Sequence, residues 1–331
     1  MPTPPARADV GTRYFIIGGA GFIGSHFTDH LLSDPSVAAV TVYDNLSSGR
    51  EWHYAHHESD PRFRIVRADV GDMESLLTAM TGHDTVIHLA SNPDIARAMT
   101  QPEIDFHEGT VLTNNALEAM RRTNVRRILY ASGSGVYGDL GELEAVEDHG
   151  PLVPISTYGA SKLAGEALIS AYCFMFDLTG CAFRFGNVVG PRQTHGVGRD
   201  FVRRLSVDPS HLPVLGDGKQ SKSYLHVSDA VAAVLLANRL CTKRFETFNV
   251  ASGDYLTVRA IAELVIECLE LPFRPRLQYS GGDRGWKGDV PIVRLNTERI
   301  RSLGWNCRLN SHQAVRDSLF ALIGEIRNGK I

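Results

Sequence analysis

Residues 14–25 read Tyr-Phe-Ile-Ile-Gly-Gly-Ala-Gly-Phe-Ile-Gly-Ser, and this stretch decides the fold. Its first four side chains, apolar or aromatic, suit a buried strand, and the apolar spacing over 23–32 suits a helix. Between them Gly18, Gly21 and Gly24 allow a tight turn and a close backbone approach to a pyrophosphate. The helix amino terminus at Phe22 and Ile23 favours that group's negative charge. Strand, glycine turn and helix in this order open a dinucleotide-binding unit.

The rest of that site lies downstream. Asp44 ends the next strand, about 20 residues beyond Gly24, where a carboxylate accepts hydrogen bonds from the adenosine ribose and repels a 2′-phosphate. NAD is therefore favoured over NADP. Asn45, Ser47 and Gly49 follow it and are expected at the same end of the cofactor. Asp69, with Val70 after it, either faces the adenine edge or simply opens a loop.

Short β-branched runs at 14–17, 40–43, 64–66, 85–89, 127–131 and 182–185 read as buried strands, and 23–32, 73–80, 111–122 and 157–176 carry helical spacing. This alternation predicts an α/β fold, a Rossmann-type doubly wound parallel sheet, over 13–186, preceded by a disordered tail at 1–12. Past Gly186, glycines, prolines and charges cluster at 190–200 and 208–219. Segments 224–237 and 248–250 are expected to return to the sheet, and 281–291 is a loop. A smaller, partly discontinuous substrate lobe is expected to occupy 187–331.

The 331 residues are 43% hydrophobic with a formal net charge of -3, which fits a globular protein and argues against a nucleic-acid partner. Five scattered cysteines, an odd count, read as reduced thiols of an intracellular protein. The amino terminus lacks a signal-peptide core and no apolar run is long enough for a bilayer, so a soluble cytoplasmic protein is expected. His53, His56 and His57 lack a carboxylate partner in the sequence pattern. They read as surface histidines, and no metal is expected.

Tyr158-Gly-Ala-Ser-Lys162 carries the chemistry. Four apart on a helix, Tyr158 and Lys162 share a face. A free tyrosine, with a pKa near ~10, is a poor base at neutral pH, and an adjacent ammonium is expected to favour the phenolate. Lys162 is also placed to hydrogen-bond the nicotinamide ribose.

The stretches GGAGFIGS (18–25), YDNLSSG (43–49), HLAS (88–91), SGSGVYG (132–138), YGASK (158–162), RFGNVVGP (184–191), SYLHVSD (223–229) and RGWKGDV (284–290) resemble the extended short-chain dehydrogenase/reductase family, in its nucleotide-sugar epimerase and dehydratase group. The resemblance implies that Leu89, Ala90 and Ser91 line the cofactor site. It implies a UDP-sugar substrate, a homodimer formed through the helices near 111–122 and 157–176, and a substrate set of Ser132, Gly133, Asn187, Arg192, Val197, Phe201, Lys222, Tyr224, Arg284 and Asp289. Dehydratases of the group carry Thr-Asp-Glu before the Val-Tyr-Gly of this motif, and UDP-glucuronate decarboxylases a Glu. Here Gly135 precedes Val136, so the resemblance points to an NAD-dependent UDP-sugar 4-epimerase, with a dehydratase or reductase and a non-catalytic sensor as alternatives.

The chain departs from the group at three places. Gly133 stands where a Ser or Thr normally contacts the sugar 4-hydroxyl, and Ser134 is expected to replace it. Lys222 stands for the usual arginine, and Arg284 lies two places early. Arg192 is either at the sugar end, where it would pair with a C6 carboxylate and make UDP-glucuronate a candidate, or in a phosphate contact or a salt bridge at the lobe junction. Val293 leaves room for an N-acetyl group, and the loop 92–97 is expected to cover the sugar.

Overall fold

The computed structural model describes residues 11–92 and 94–330. Seven parallel strands form the central sheet: β1 (Arg13–Ile17), β2 (Ala39–Asp44), β3 (Phe63–Arg67), β4 (Thr85–His88), β5 (Arg127–Gly133), β6 (Thr179–Phe185) and, late in the chain, β11 (Phe245–Val250). Their spatial order is β11-β6-β5-β4-β1-β2-β3. The order reverses between β1 and β4, and a crevice at such a switch point is where doubly wound sheets bind ligands.

Alternation along the strands explains the layers. Ile16, Leu129 and Phe183 face one side, where they pack on Phe27 and Leu31 of helix α1 (Phe22–Ser33) and on Ala230, Val234 and Ala237 of a later helix. Phe15, Ile17, Val86 and Ile128 face the other side, against Leu76 and Met80 of α2 (Met73–Met80), Leu117 of α3 (Leu112–Thr123) and Ile169 of α4 (Thr157–Met175). Because both faces are covered, the strands read as continuous apolar runs rather than alternating ones. Each fully buried Leu, Ile or Phe here contributes about 1.5–3 kcal/mol.

Helix α3 continues a single-turn segment at Glu103–Asp105 and a π-helical stretch at Phe106–Val111. In that stretch a Cβ on Gly109 would lie 2.4 Å from the Ser161 hydroxyl, so the glycine lets this run close tightly on α4.

After β6 the chain builds strand β7 (Asn187–Val189), α5 (Val197–Val207), β8 (His211–Val214), β9 (Ser221–Lys222), β10 (Tyr224–His226) and α6 (Val227–Leu240). Beyond β11 come β12 (Leu256–Thr257), α7 (Val258–Leu269), β13 (Arg276–Tyr279) and α8 (Ser311–Arg327). Phe201 and Leu205 of α5, Ile261 and Val265 of α7, and Val315 and Leu319 of α8 form an apolar cluster of their own with Leu212 and Val214.

Most expected elements appear within one to three residues of their sequence limits. Segment 224–237 does not return to the sheet. Its first three residues pair with β7 in a separate two-stranded ribbon, and the rest is α6, which packs on the sheet's face. Of the expected tail, residues 1–10 lie outside the described residues, while Thr12 is tied down because its carbonyl accepts the Ala38 N–H at 3.0 Å. All five cysteines are free thiols. No helix among the described residues is long and apolar enough to cross a membrane.

Candidate active site

A cavity of about 660 Å³ opens at the carboxyl ends of the central strands. Its deep end is the glycine turn. Gly18 has φ +80, and a Cβ there would lie 2.8 Å from the Ala90 nitrogen, so only glycine lets the loops after β1 and β4 meet. A Cβ on Gly24 would strike the Gly18 carbonyl at 2.4 Å, which explains the close seat of α1 on the turn. Gly21 caps α1 with no side-chain hydrogen bond among the described residues, leaving the helix amino terminus to the cavity.

Asp44 is buried and holds this turn: its two carboxylate oxygens accept the Ala20 N–H at 2.9 Å and the Leu46 N–H at 2.8 Å. Burial pushes its pKa up, against those two hydrogen bonds. Asp69 accepts from the Asn45 amide at 2.7 Å and from the Gly71 N–H at 2.7 Å, so Asn45 and Asp69 stand together at one rim. Ser47, Val70, Leu89, Ala90 and Ser91 line the same end. Gly49 does not: a Cβ on it would meet Ala20 Cβ at 2.8 Å, so it packs behind the turn as a spacer.

Tyr158 and Lys162 reach the middle of the cavity from α4. Ser156 starts that helix by accepting the Gly159 N–H at 3.0 Å. The Lys162 ammonium is 2% exposed, donates to the Ala131 carbonyl at 2.8 Å, and lies 5.5 Å from the Tyr158 ring centroid. Burial pushes its pKa down to about 8. The Tyr158 phenol moves opposite to the expectation: burial pushes it up to about 12, and a hydrogen bond with Ser91 opposes this only in part. Desolvation of the phenolate dominates, and the opposing contribution comes from Ser91 rather than from the Lys162 ammonium.

Asp105 is a neighbour the sequence pattern did not single out. It is buried, and its oxygens accept from Asn92 at 2.8 Å and Thr157 at 2.7 Å, which fixes the start of α4. Its charge further raises the Tyr158 pKa and opposes the fall at Lys162. No motif marks it; only the packing of the π-helical run against α4 brings it there.

The end of β5 and the turn after it present Ser132, Gly133, Ser134 and Gly135 to the same cavity. The Ser132 hydroxyl is committed to Glu166 at 2.5 Å. Glu166 in turn is paired with Arg184 at 2.7 Å, both side chains almost wholly buried, and Arg184 also donates to Tyr137 at 2.9 Å and the Glu147 carbonyl at 3.0 Å. Those contacts hold the end of β5 in place, and Ser134, which follows it, lines the cavity as well. Nothing lies within 4 Å of where a Gly133 Cβ would stand.

Asn187, Val197, Phe201, Lys222, Tyr224, Asp289 and Val293 line the far end, with Gln193, His195 and Trp286, which sequence reasoning did not name. Lys222 contacts Asp289 at 2.6 Å, and Asp289 also accepts the Gly285 N–H at 3.1 Å. Of the loop 92–97, Asn92 lines the cavity and Pro93 lies outside the described residues.

Two expected arginines stand elsewhere. Arg192 has φ +66 and its side chain turns outward to Asp29 at 2.7 Å, while its N–H donates to Glu325 at 2.8 Å. Arg284 donates to the Asp289 carbonyl at 2.7 Å and pairs with Asp139 at 2.5 Å, bracing the 284–290 loop from outside the lining. Of the three expected surface histidines His56 is exposed and His57 half-buried, and His53 is a correction. His53 is buried and donates to the Ala20 carbonyl at 2.8 Å, and His56 and His57 do have a carboxylate partner in Asp29.

An uncapped helix amino terminus, a glycine cradle and a carboxylate at the end of β2 that lines the same cavity fit a dinucleotide, and a tyrosine–lysine pair lines that cavity too. The chain belongs to the NAD dependent epimerase/dehydratase family, whose description matches residues 14–251. It is an NAD-dependent nucleotide-sugar enzyme. It is similar to the UDP-glucose 4-epimerase of Mycolicibacterium smegmatis, at 31% identity over 88% of this chain and 93% of that one. Similarity extends to the dTDP-glucose 4,6-dehydratase of an Actinoplanes species, at 33% identity over 78% of this chain and 82% of that one. Among solved structures, a UDP-galactose 4-epimerase superposes with a TM-score of 0.83 at 37% identity, over 95% of this chain and 100% of that one.

Proposed function

We propose that the protein interconverts the C4 epimers of a UDP-sugar. The observation that supports this most is the segment after β5, which offers hydroxyls and glycines to the cavity and no carboxylate. Eliminating water from the sugar needs a second acid–base group there, whereas oxidising and re-reducing C4 needs one base and a hydride carrier. NAD, when bound, supplies the hydride acceptor and returns the hydride.

The chain's own residues do the rest. Acting as the phenolate, the minor form of a phenol whose pKa is raised, the Tyr158 oxygen takes the proton from the sugar 4-hydroxyl, becomes the phenol, and gives that proton back after the 4-keto sugar has turned about its diphosphate linkage. Ser134 hydrogen-bonds the same oxygen of the sugar. The Lys162 ammonium favours the transient phenolate and holds a ribose hydroxyl. Lys222, a cation at the far end, anchors the diphosphate away from the reacting carbon, so the sugar can rotate. The room beside Val293 and Gly133 suits a substituted sugar. Exposed Phe174 and Met175 at the end of α4 support pairing of two copies along that helix.

The test is purified protein with NAD and UDP-glucose, UDP-glucuronate or UDP-N-acetylglucosamine offered separately, with products resolved at C4. A 4-epimer from one of them is expected. No epimer from all three, with NAD and a UDP-sugar still bound, or a dehydrated 4-keto product instead, would overturn the reading.

A further inference from the structure

Behind the glycine turn, outside the cavity, three side chains converge. Asp29 projects from α1, and His56 and His57 come from a short 3-10 turn, Ala55–His57, that follows β2. Their Nε2 atoms lie 2.9 Å and 2.7 Å from one and the same carboxylate oxygen of Asp29. One ligand atom from each of the three residues falls within 4.8 Å of the others. We propose that this trio is a binding site for a borderline divalent transition metal ion of the Zn²⁺ type.

The chemistry of the trio carries the choice. For both imidazoles to donate to one oxygen, each must hold its proton on Nε2, so an ion that binds as those two protons shift to Nδ1 meets two nitrogens and an oxygen already converging. Tetrahedral ligands at ~2.0–2.1 Å from zinc stand about 3.3 Å apart, so the contacts need to open by only ~0.5 Å. His56 is half-exposed and on a short turn, so it has the freedom to move and leaves a fourth position to water. Two imidazoles with one carboxylate select zinc-like ions over magnesium or calcium, which prefer all-oxygen shells.

Arg192 acts in two directions. Its guanidinium holds the other Asp29 oxygen at 2.7 Å, which orients the carboxylate as outer hydrogen bonds do around metal sites. Its charge also opposes a cation, so a moderate affinity is expected. Nearby His53, in the preceding turn, is kept neutral by burial, with its pKa pushed down to about 4. It adds no charge, and its hydrogen bond to the Ala20 carbonyl connects this corner to the glycine turn. An ion here would therefore clasp the turns after β2 to α1, on the outer side of the cofactor cradle.

The experiment uses untagged full-length protein stripped with a chelator, titrated with ZnCl₂ by calorimetry at a pH where imidazole is neutral. One ion per chain is expected, together with a rise in Tm. His57→Ala and Asp29→Asn should each weaken binding about tenfold or more, while Cys241→Ser leaves it unchanged. Should His57→Ala fail to fold, His56→Ala removes a ligand from the exposed side and takes its place. Co²⁺ gives an independent reading: visible d–d bands without a thiolate charge-transfer band mean nitrogen and oxygen ligands. Absence of saturable binding, binding indifferent to the ligand variants, or a thiolate band would each overturn the proposal.

Discussion

Replacing Ser134 by Ala removes a hydroxyl from a residue that lines the same cavity as Tyr158, while the neighbouring Ser132 hydroxyl is already spent on Glu166 at 2.5 Å. If that hydroxyl supports the sugar oxygen as charge develops on it, its loss costs the ~1.5–3 kcal/mol of a hydrogen bond to a charged group. At 1.36 kcal/mol per decade this is a fall of roughly 10- to 100-fold in kcat/KM, carried mainly by kcat. Gly133→Ser in the same chain should restore part of it. The backbone at Gly133 is extended, with φ -154 and ψ 163, so any residue adopts it, and a Cβ would meet nothing within 4 Å. The added side chain should therefore leave the fold intact and, by restricting the unfolded chain, stabilise it by about 0.4–1 kcal/mol. The assay is steady-state epimerisation with whichever of the three UDP-sugars turns over, alongside thermal melts of the four combinations. A change under about threefold in Ser134→Ala, or a Gly133→Ser protein that melts early, would refute the placement of hydroxyl and space argued here.

Three further outcomes follow from the same geometry. Glu166→Gln leaves the buried Arg184 guanidinium without its counter-charge, and breaking such a pair costs about 3–5 kcal/mol; with an unfolding entropy of ~2.1 cal/mol/K per residue this lowers Tm by about 4–7 °C, and an unchanged melt would mean the pair is not buried in solution. Because burial brings Lys162 down to about 8 and Tyr158 up to about 12, kcat/KM of the free enzyme should rise with pH to about 8 and then level off, as the gain in phenolate offsets the loss of the ammonium, and a profile that goes on rising steeply well past pH 8 would show that the ammonium is not required. Arg192→Ala should leave the preference between UDP-glucuronate and UDP-glucose unchanged, since the side chain points to Asp29; a selective loss of UDP-glucuronate would return the arginine to the pocket.

The cofactor end was legible in the sequence because its requirements are local. A strand, a turn that needs glycine at Gly18, a helix start and a carboxylate at Asp44 lie within about 30 residues, the length of one βαβ unit, and each is dictated by backbone geometry. The same holds for Tyr158 and Lys162, which share a helix face by spacing alone. Asp105, Trp286 and the Glu166–Arg184 pair were not legible, since distant segments bring them to the site and no periodicity records it. Segment 224–237 misled for a related reason: its apolar residues serve the sheet, but from a helix lying on its face.

The misplaced arginines carry the more general lesson. Arg192, Arg284 and Lys222 all stand in segments that flank the far end of the cavity; the resemblance made Arg284 and Lys222 candidates for the substrate's diphosphate, and Arg192 was a candidate for a C6 carboxylate. What separates them is where their counter-ions sit. Asp29 and Glu325 draw Arg192 outward through a left-handed backbone step, and Asp139 with the Asp289 carbonyl holds Arg284 behind its loop. Lys222 has its carboxylate, Asp289, inside the cavity, so the pair itself lines the pocket. A diphosphate arriving there has to compete with Asp289 for the ammonium, and that competition predicts that Asp289→Asn tightens UDP binding if Lys222 is the anchor. Weaker binding of UDP to that variant, with the fold unchanged, would mean that the carboxylate serves the ligand by orienting Lys222 through its 2.6 Å contact.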